Sequence, residues 1–207
     1  MLCSEAIDDL SASAPWEVVE TEMQLAANRH WVVMFHAHVP GESVSRAALE
    51  RLFTLADKYH LDYVGFHELA PGPPRAGVAF AFDDNAVDAW DSVLDIVDAH
   101  HARLTFFVTR WTELTDAQHA AVHALHAAGH DIEPHSVNHI HADEYVAMNG
   151  LDAYVANEVV PSIQVLESEG FVPTTYAYPF GIHSAAMDER ILQLVERVRV
   201  TPGSCPW

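Results

Sequence analysis

Basic side chains are scarce: one lysine, Lys58, and nine arginines face 30 acidic residues, leaving a formal charge of −20 with the histidines neutral. Phosphate backbones and anionic bilayers are held by Lys and Arg, so neither a nucleic-acid groove nor a polybasic membrane tether can be assembled. Long apolar runs are missing as well, with none near the roughly 18 residues that span a bilayer. The N-terminus carries Glu5, Asp8 and Asp9 where an export signal needs positive charge and then an apolar stretch. A soluble chain without membrane insertion is expected. Only two cysteines occur, Cys3 and Cys205, with no Cys-x-x-Cys pair. Their places near opposite ends fit two ordinary thiols or a bridge between neighbouring termini, and both compartments stay open. Repeats and low-complexity segments are absent.

What is present is a hydrophobic half of the 207 residues, enough for one large core, together with 15 histidines. Strand-like and helix-like segments alternate. Residues 31–36 form a β-branched and aromatic run ending at His36, and the turn Pro40-Gly41 follows. Ser45 is placed to cap a helix whose buried face is Leu49, Leu52, Phe53 and Ala56. Further strands are expected at 63–66, 77–82, 104–108, 132–133, 174–178 and 198–201. Between them lie helices built on Val87, Trp90, Leu94 and Val97, on the capping box Thr115 to Gln118, on 152–168 despite Pro161, and on 187–195. Seven strands alternating with helices predict an α/β fold, an irregular (β/α)7-type barrel with a largely parallel sheet. Residues 1–29 read as an acidic, partly helical N-terminal extension, and 30–207 as a single catalytic domain.

In parallel α/β folds functional groups collect where strands end. The expected ends carry His36, the pair Asp83-Asp84, His135 with His139 four residues on, and Pro179-Phe180-Gly181. Adjacent carboxylates at a strand end can simply cap and polarise the next helix. Alternatively they point in different directions, one toward a metal and one toward a water. One carboxylate and two imidazoles make the three-ligand, open-position set of a catalytic zinc or similar divalent ion.

These residues resemble the polysaccharide deacetylases of carbohydrate esterase family 4. The segment from Phe80 to Asn85 is similar to the family's Thr-Phe-Asp-Asp-Gly motif. His135 to His139 matches its His-(Ser/Thr)-x-x-His motif, and Tyr178 to Gly181 resembles its Arg-x-Pro-(Tyr/Phe)-Gly motif. The resemblance implies a hydrolase that removes an acyl group, acetyl above all, from the amide nitrogen of an N-acetylated sugar or glycan. It further implies one divalent ion, zinc, held by Asp84, His135 and His139, with Asp83 as base. Tyr178, Pro179, Phe180, Gly181 and His38 would contact substrate. The family's late Leu-x-His acid has no counterpart after His183. A subgroup carries that strand at the N-terminus, and there Phe35-His36 makes His36 the implied general acid. Two departures stand out: Ala177 sits where the third motif has an Arg that orients the base, and Asn85 replaces a Gly, a position where left-handed backbone would suit Asn. Family members work outside the cytoplasm, an expectation the N-terminus does not itself support.

Two other readings keep the metal: a carbohydrate-binding protein with weak or no catalysis, and a deformylase or amidohydrolase acting on a small C–N substrate. His119, His123, His126 and His130 fall on one helical stripe opposite Ala121, Leu125 and Ala128, and read as a solvated face. A histidine-rich metal buffer would use that stripe. Trp111 is expected near the rim of the cleft, where its ring could stack on a sugar or simply pack.

Overall fold

The computed structural model describes residues 1–8, 16–69 and 72–201, and nine strands form among them. They are β1 (Leu2–Cys3), β2 (Glu5–Ala6), β3 (Val32–Ala37), β4 (Asp62–Tyr63), β5 (Gly77–Asp84), β6 (Leu104–Val108), β7 (Asp131–Pro134), β8 (Thr175–Ala177) and β9 (Arg197–Val200). Every ladder is parallel, and the strands run in the orders β1-β9-β8 and β2-β3-β5-β6-β7, with β4 beside β5. Parallel pairing follows from the helical crossovers, which return each chain segment to the same end of the sheet. The expected irregular barrel with a largely parallel sheet is what forms.

Residues 1–8 and 16–29, set apart in the sequence as parts of an N-terminal extension, pack into this barrel. Only Ser4 separates β1 from β2, so one extended segment lies against β9 and then against β3, joining the two sheets. The helix Trp16–Arg29 adds Val19, Met23 and Ala26 to the main core. Nothing in Leu2 to Ala6 alternates as a strand should, which hid this stave. Cys3 is disulfide-bonded; Cys205, the only other cysteine of the sequence, lies outside the described residues.

No ladder joins β7 to β8 among the described residues. A side chain closes that seam instead: the Glu133 carboxylate accepts from Thr174 N at 2.8 Å, Thr174 Oγ1 at 2.8 Å and Thr175 N at 3.0 Å. Helix starts follow their capping chemistry. Ser45 Oγ accepts from Ala48 N at 3.1 Å, and Thr115 and Gln118 satisfy each other's backbone N–H groups. The last helix spans Ala185–Ile191, earlier than expected because Ser184 caps it. Among the described residues no helix is long and apolar enough to cross a membrane.

Strand parity places the chemistry. Phe80 and Phe82 face outward, where Phe82 stacks with Trp90 and Phe106 under the helices. Ala79 and Ala81 face inward with Phe66, Phe107 and Ala177, so Asp83, two residues on, also points into the barrel. His36 is the register partner of Ala81 and shares that interior face.

Most of the histidine stripe is packed against aromatic rings rather than fully solvated, and only His126 stays exposed. The His119 ring stacks on Trp111 at 4.6 Å, His123 stacks on Phe171 at 4.9 Å, and His130 is buried. The exposed positions include Ala120, Ala124, Ala127 and Ala128 alongside His126. Trp111, expected at the rim, belongs to the same buried cluster.

Candidate functional site

At the C-terminal ends of β5 and β7, one ligand atom each from Asp84, His135 and His139 lies within 4.8 Å of the others. Asp84 Oδ1 is 3.0 Å from His139 Nε2 and 3.7 Å from His135 Nε2. The three expected ligands are therefore together. His135 Nδ1 lies 2.9 Å from the carbonyl oxygen of Ala177. A carbonyl only accepts, so Nδ1 carries the proton and Nε2 presents a bare lone pair to Asp84. Asp84 Oδ1 is itself buried and accepts no hydrogen bond of good geometry. Two lone pairs aimed at each other repel unless a cation sits between them, so this donor set fits a divalent metal ion.

Left-handed backbone concentrates here. Asp84 (φ 82°), Ser136 (φ 63°), His139 (φ 54°) and Phe180 (φ 58°) all adopt it without being glycine. The strained residue of the aspartate pair is Asp84, not Asn85, and the turn swings its carboxylate back from the outward face that parity would give it. Such strain persists only where surrounding contacts over-determine it.

Those contacts include a residue that sequence reasoning missed. Pro161 offers no N–H to the preceding turn, and the chain loosens into a π-helical turn over Val155–Val159. Glu158 lies inside it, buried. Its carbonyl accepts from Val137 N at 3.2 Å, and its carboxylate accepts from Asn138 N at 2.9 Å and Asn138 Nδ2 at 2.6 Å. Glu158 thus clamps the loop that aims His139. Glu158→Ala is expected to weaken binding of a divalent ion by on the order of 10- to 100-fold with the far-ultraviolet spectrum unchanged. Titration against a chelator of known affinity measures this, and unchanged affinity would remove the clamp from the account.

Asp83 is buried beside Arg199, whose guanidinium donates to Asp83 Oδ2 and lies 4.9 Å over the Phe107 ring. Asp83 Oδ1 is buried and free of hydrogen bonds. Burial pushes this carboxyl up, but the Arg199 guanidinium paired with it outweighs that and holds it below the usual carboxylate range. Asp83 is therefore an ionised carboxylate with one oxygen anchored and one oxygen open.

His36 and His38, two apart on one strand face, both reach this carboxylate: an imidazole nitrogen of each and an Asp83 oxygen lie within 4.8 Å of one another. His36 is 2% exposed, and its Nδ1 is 2.6 Å from Ser4 Oγ. Burial, then the charge of Arg199, lowers its pKa to about 3. The His38 side chain is 34% exposed and bonded to Asp8 through Nδ1. Burial opposes protonation of His38, but the hydrogen bond to Asp8 and the charges of Asp83, Asp8 and Asp84 raise its pKa to about 9.

Of the residues expected to touch substrate beyond His38, only Phe180 presents a side chain. Its ring is 50% exposed, lies parallel to His141 at 4.0 Å and sets its edge toward His139 at 4.6 Å. Tyr178 is turned into the second core and donates its hydroxyl to Asp188 Oδ1 at 2.9 Å, while Pro179 and Gly181 are buried beneath the turn.

The sequence profile of the polysaccharide deacetylase family matches residues 71–201. No curated protein matches the chain. Among solved structures, the fold is similar to the deacetylase PplD of Streptococcus pyogenes in complex with acetate (TM-score 0.67, 14% identity, covering 83% of this chain and 91% of that one). It is also similar to IcaB from Ammonifex degensii (TM-score 0.63, 17% identity, 84% and 92% covered). The BpsB deacetylase domain from Bordetella bronchiseptica follows at TM-score 0.55 and 13% identity, with 72% and 83% covered.

Proposed function

The chain belongs to the polysaccharide deacetylase family, and from that premise we propose that it is a metal-dependent hydrolase removing acetyl groups from the amide nitrogen of an N-acetylated glycan. The observation that carries this reading is the pairing of a metal-fitting triad, Asp84, His135 and His139, with an adjacent ionised Asp83 that has one free oxygen. Zinc suits two imidazoles and a carboxylate, and when bound there it would polarise the acyl carbonyl and acidify a water.

The protein's own groups supply the rest. Asp83 Oδ1 accepts the proton of the attacking water, and Arg199 holds the other carboxylate oxygen still. The departing nitrogen needs a proton, and the His36–His38 pair stands across from Asp83 to provide it. Phe180 offers a flat apolar face beside the metal ligands on which a sugar ring can stack. The charge of −20 does not repel the amine that deacetylation creates. The disulfide at Cys3 supports a workplace in an oxidising compartment outside the cytoplasm.

The test is acetate release from N-acetylglucosamine oligomers. Release that stops on chelation and returns with zinc is the expected result. A protein that binds one ion and the oligomers yet releases no acetate would overturn the reading in favour of a metal-dependent carbohydrate-binding protein. Release of formate, or of amine from small amides only, would move the substrate class.

A further inference from the structure

We propose that His38, tethered to Asp8, is the catalytic acid that protonates the leaving nitrogen, and that His36 acts as a neutral positioning residue. This inference rests on the deacetylase reading and changes the residue expected to carry the proton.

The two imidazoles differ in surroundings although they are two residues apart. His36 is enclosed: its Nδ1 is engaged by Ser4, itself fully buried between β1 and β2, and the Arg199 charge acts on it. Burial and the Arg199 charge disfavour a second proton on this ring more than the nearby Asp83 carboxylate favours it, so His36 stays neutral and steadies what it touches. His38 stands just past the end of β3, open on one side. The charged and titratable groups that face it are Asp8 from the N-terminal segment, Asp83 and Asp84 from the end of β5, and the neutral His36 from β3. Asp8, bonded directly to the ring, and the nearby Asp83 carboxylate favour the imidazolium. Geometry agrees: Ser43 Oγ donates to Asp8 Oδ1 and His38 N donates to the same oxygen at 3.1 Å, which fixes the carboxylate, while Trp90 Nε1 donates to the His38 carbonyl at 3.0 Å and fixes the backbone. With Nδ1 donating to Asp8, Nε2–H is the proton left to give.

The C–N bond of the tetrahedral adduct breaks, its electron pair goes to nitrogen, and nitrogen takes the Nε2 proton of His38. Acetic acid and the free amine result, and His38 is left neutral and still bonded to Asp8. The proton that Asp83 took from water passes to solvent, and His38 is reprotonated from solvent. Because the Asp8-bonded imidazolium is the form that gives the proton and it is lost on the alkaline side, turnover should fall at high pH.

The experiment uses the zinc-loaded protein and two acetyl donors: an N-acetylglucosamine oligomer, whose amine needs a proton to leave, and 4-nitrophenyl acetate, whose phenolate does not. His38→Gln should lower amide hydrolysis by on the order of 10²-fold or more while ester hydrolysis falls far less. Asp8→Asn should move the alkaline limb of the amide pH profile down by at least about one unit, with ester hydrolysis again spared. Equal losses on both substrates, an unmoved limb in Asp8→Asn, or full amide activity in His38→Gln would overturn the assignment. Imidazole 15N titration of the same protein separates this from failure of the deacetylase reading. If the wild type hydrolyses neither substrate, that reading fails; a His36 that titrates as the more basic ring would refute the acid assignment by itself.

Discussion

Asp83→Asn is expected to reduce acetate release by about 10²- to 10⁴-fold while leaving the affinity for a divalent ion within a few-fold of wild type. The asymmetry follows from where the two aspartates point. Asp84 Oδ1 is the oxygen that the two histidine Nε2 atoms surround, at 3.0 and 3.7 Å, whereas Asp83 faces the barrel interior with Oδ2 on Arg199 and Oδ1 free. An amide in place of Asp83 keeps the shape and loses the proton acceptor. It also leaves the Arg199 guanidinium buried without a counter-charge, so the variant should unfold more easily, by about 3–5 kcal/mol as for other broken buried pairs. Activity is therefore compared well below the melting temperature, with zinc content measured on the same sample. Full activity would remove Asp83 as base. Loss of the ion together with activity would mean that both carboxylates are ligands.

What could be read in advance was what lies on strand ends and repeats with strand parity. The six-residue run from Phe80 to Asn85 alternates apolar residues that must face two layers, so its terminal carboxylates had to emerge at the edge of the barrel. His135 and His139 were legible through a strand-end position combined with the carboxylate pair and the family motif, since a four-residue spacing alone means little among 15 histidines. Groups that reach the site from distant segments were not: Ser4 and Asp8 come from an N-terminal stretch with no strand pattern, and Glu158 comes from a π-turn that only a proline three residues on hints at. Neighbours also decided which of two similar residues does what. Phe180 lies on the surface and Tyr178 in the core because the left-handed backbone at Phe180 turns one ring out after Tyr178 has been committed to Asp188. The histidine stripe misled for a related reason: Trp111 and Phe171 come from segments on either side of that helix and cover rings that helical periodicity alone assigned to solvent.

Arg199→Ala should lower turnover by at least about 10²-fold with little change in zinc content, and introducing Ala177→Arg into the same chain should restore a large part of it. Ala177 occupies the place where an arginine was expected to orient the base, and its absence left Asp83 without an evident partner. The barrel supplies one from the next strand. Ala177 on β8 and Arg199 on β9 are register partners, so their side chains leave the sheet at the same level and toward the same interior. Moving the guanidinium from one to the other conserves charge and nearly conserves volume, which is the kind of exchange a packed interior tolerates. Arg199→Ala alone leaves Asp83 buried and unpaired, beside a cavity over the Phe107 ring, and should cost about 3–5 kcal/mol of stability. The double variant should recover both melting temperature and turnover. Recovery of stability without turnover would show that Arg199 only balances charge, while recovery of both requires that the guanidinium fix the direction of the free Asp83 oxygen. Arg199→Lys adds the finer reading: a single ammonium keeps the charge without the planar fork, so it should retain stability better than kcat, with KM nearly unchanged.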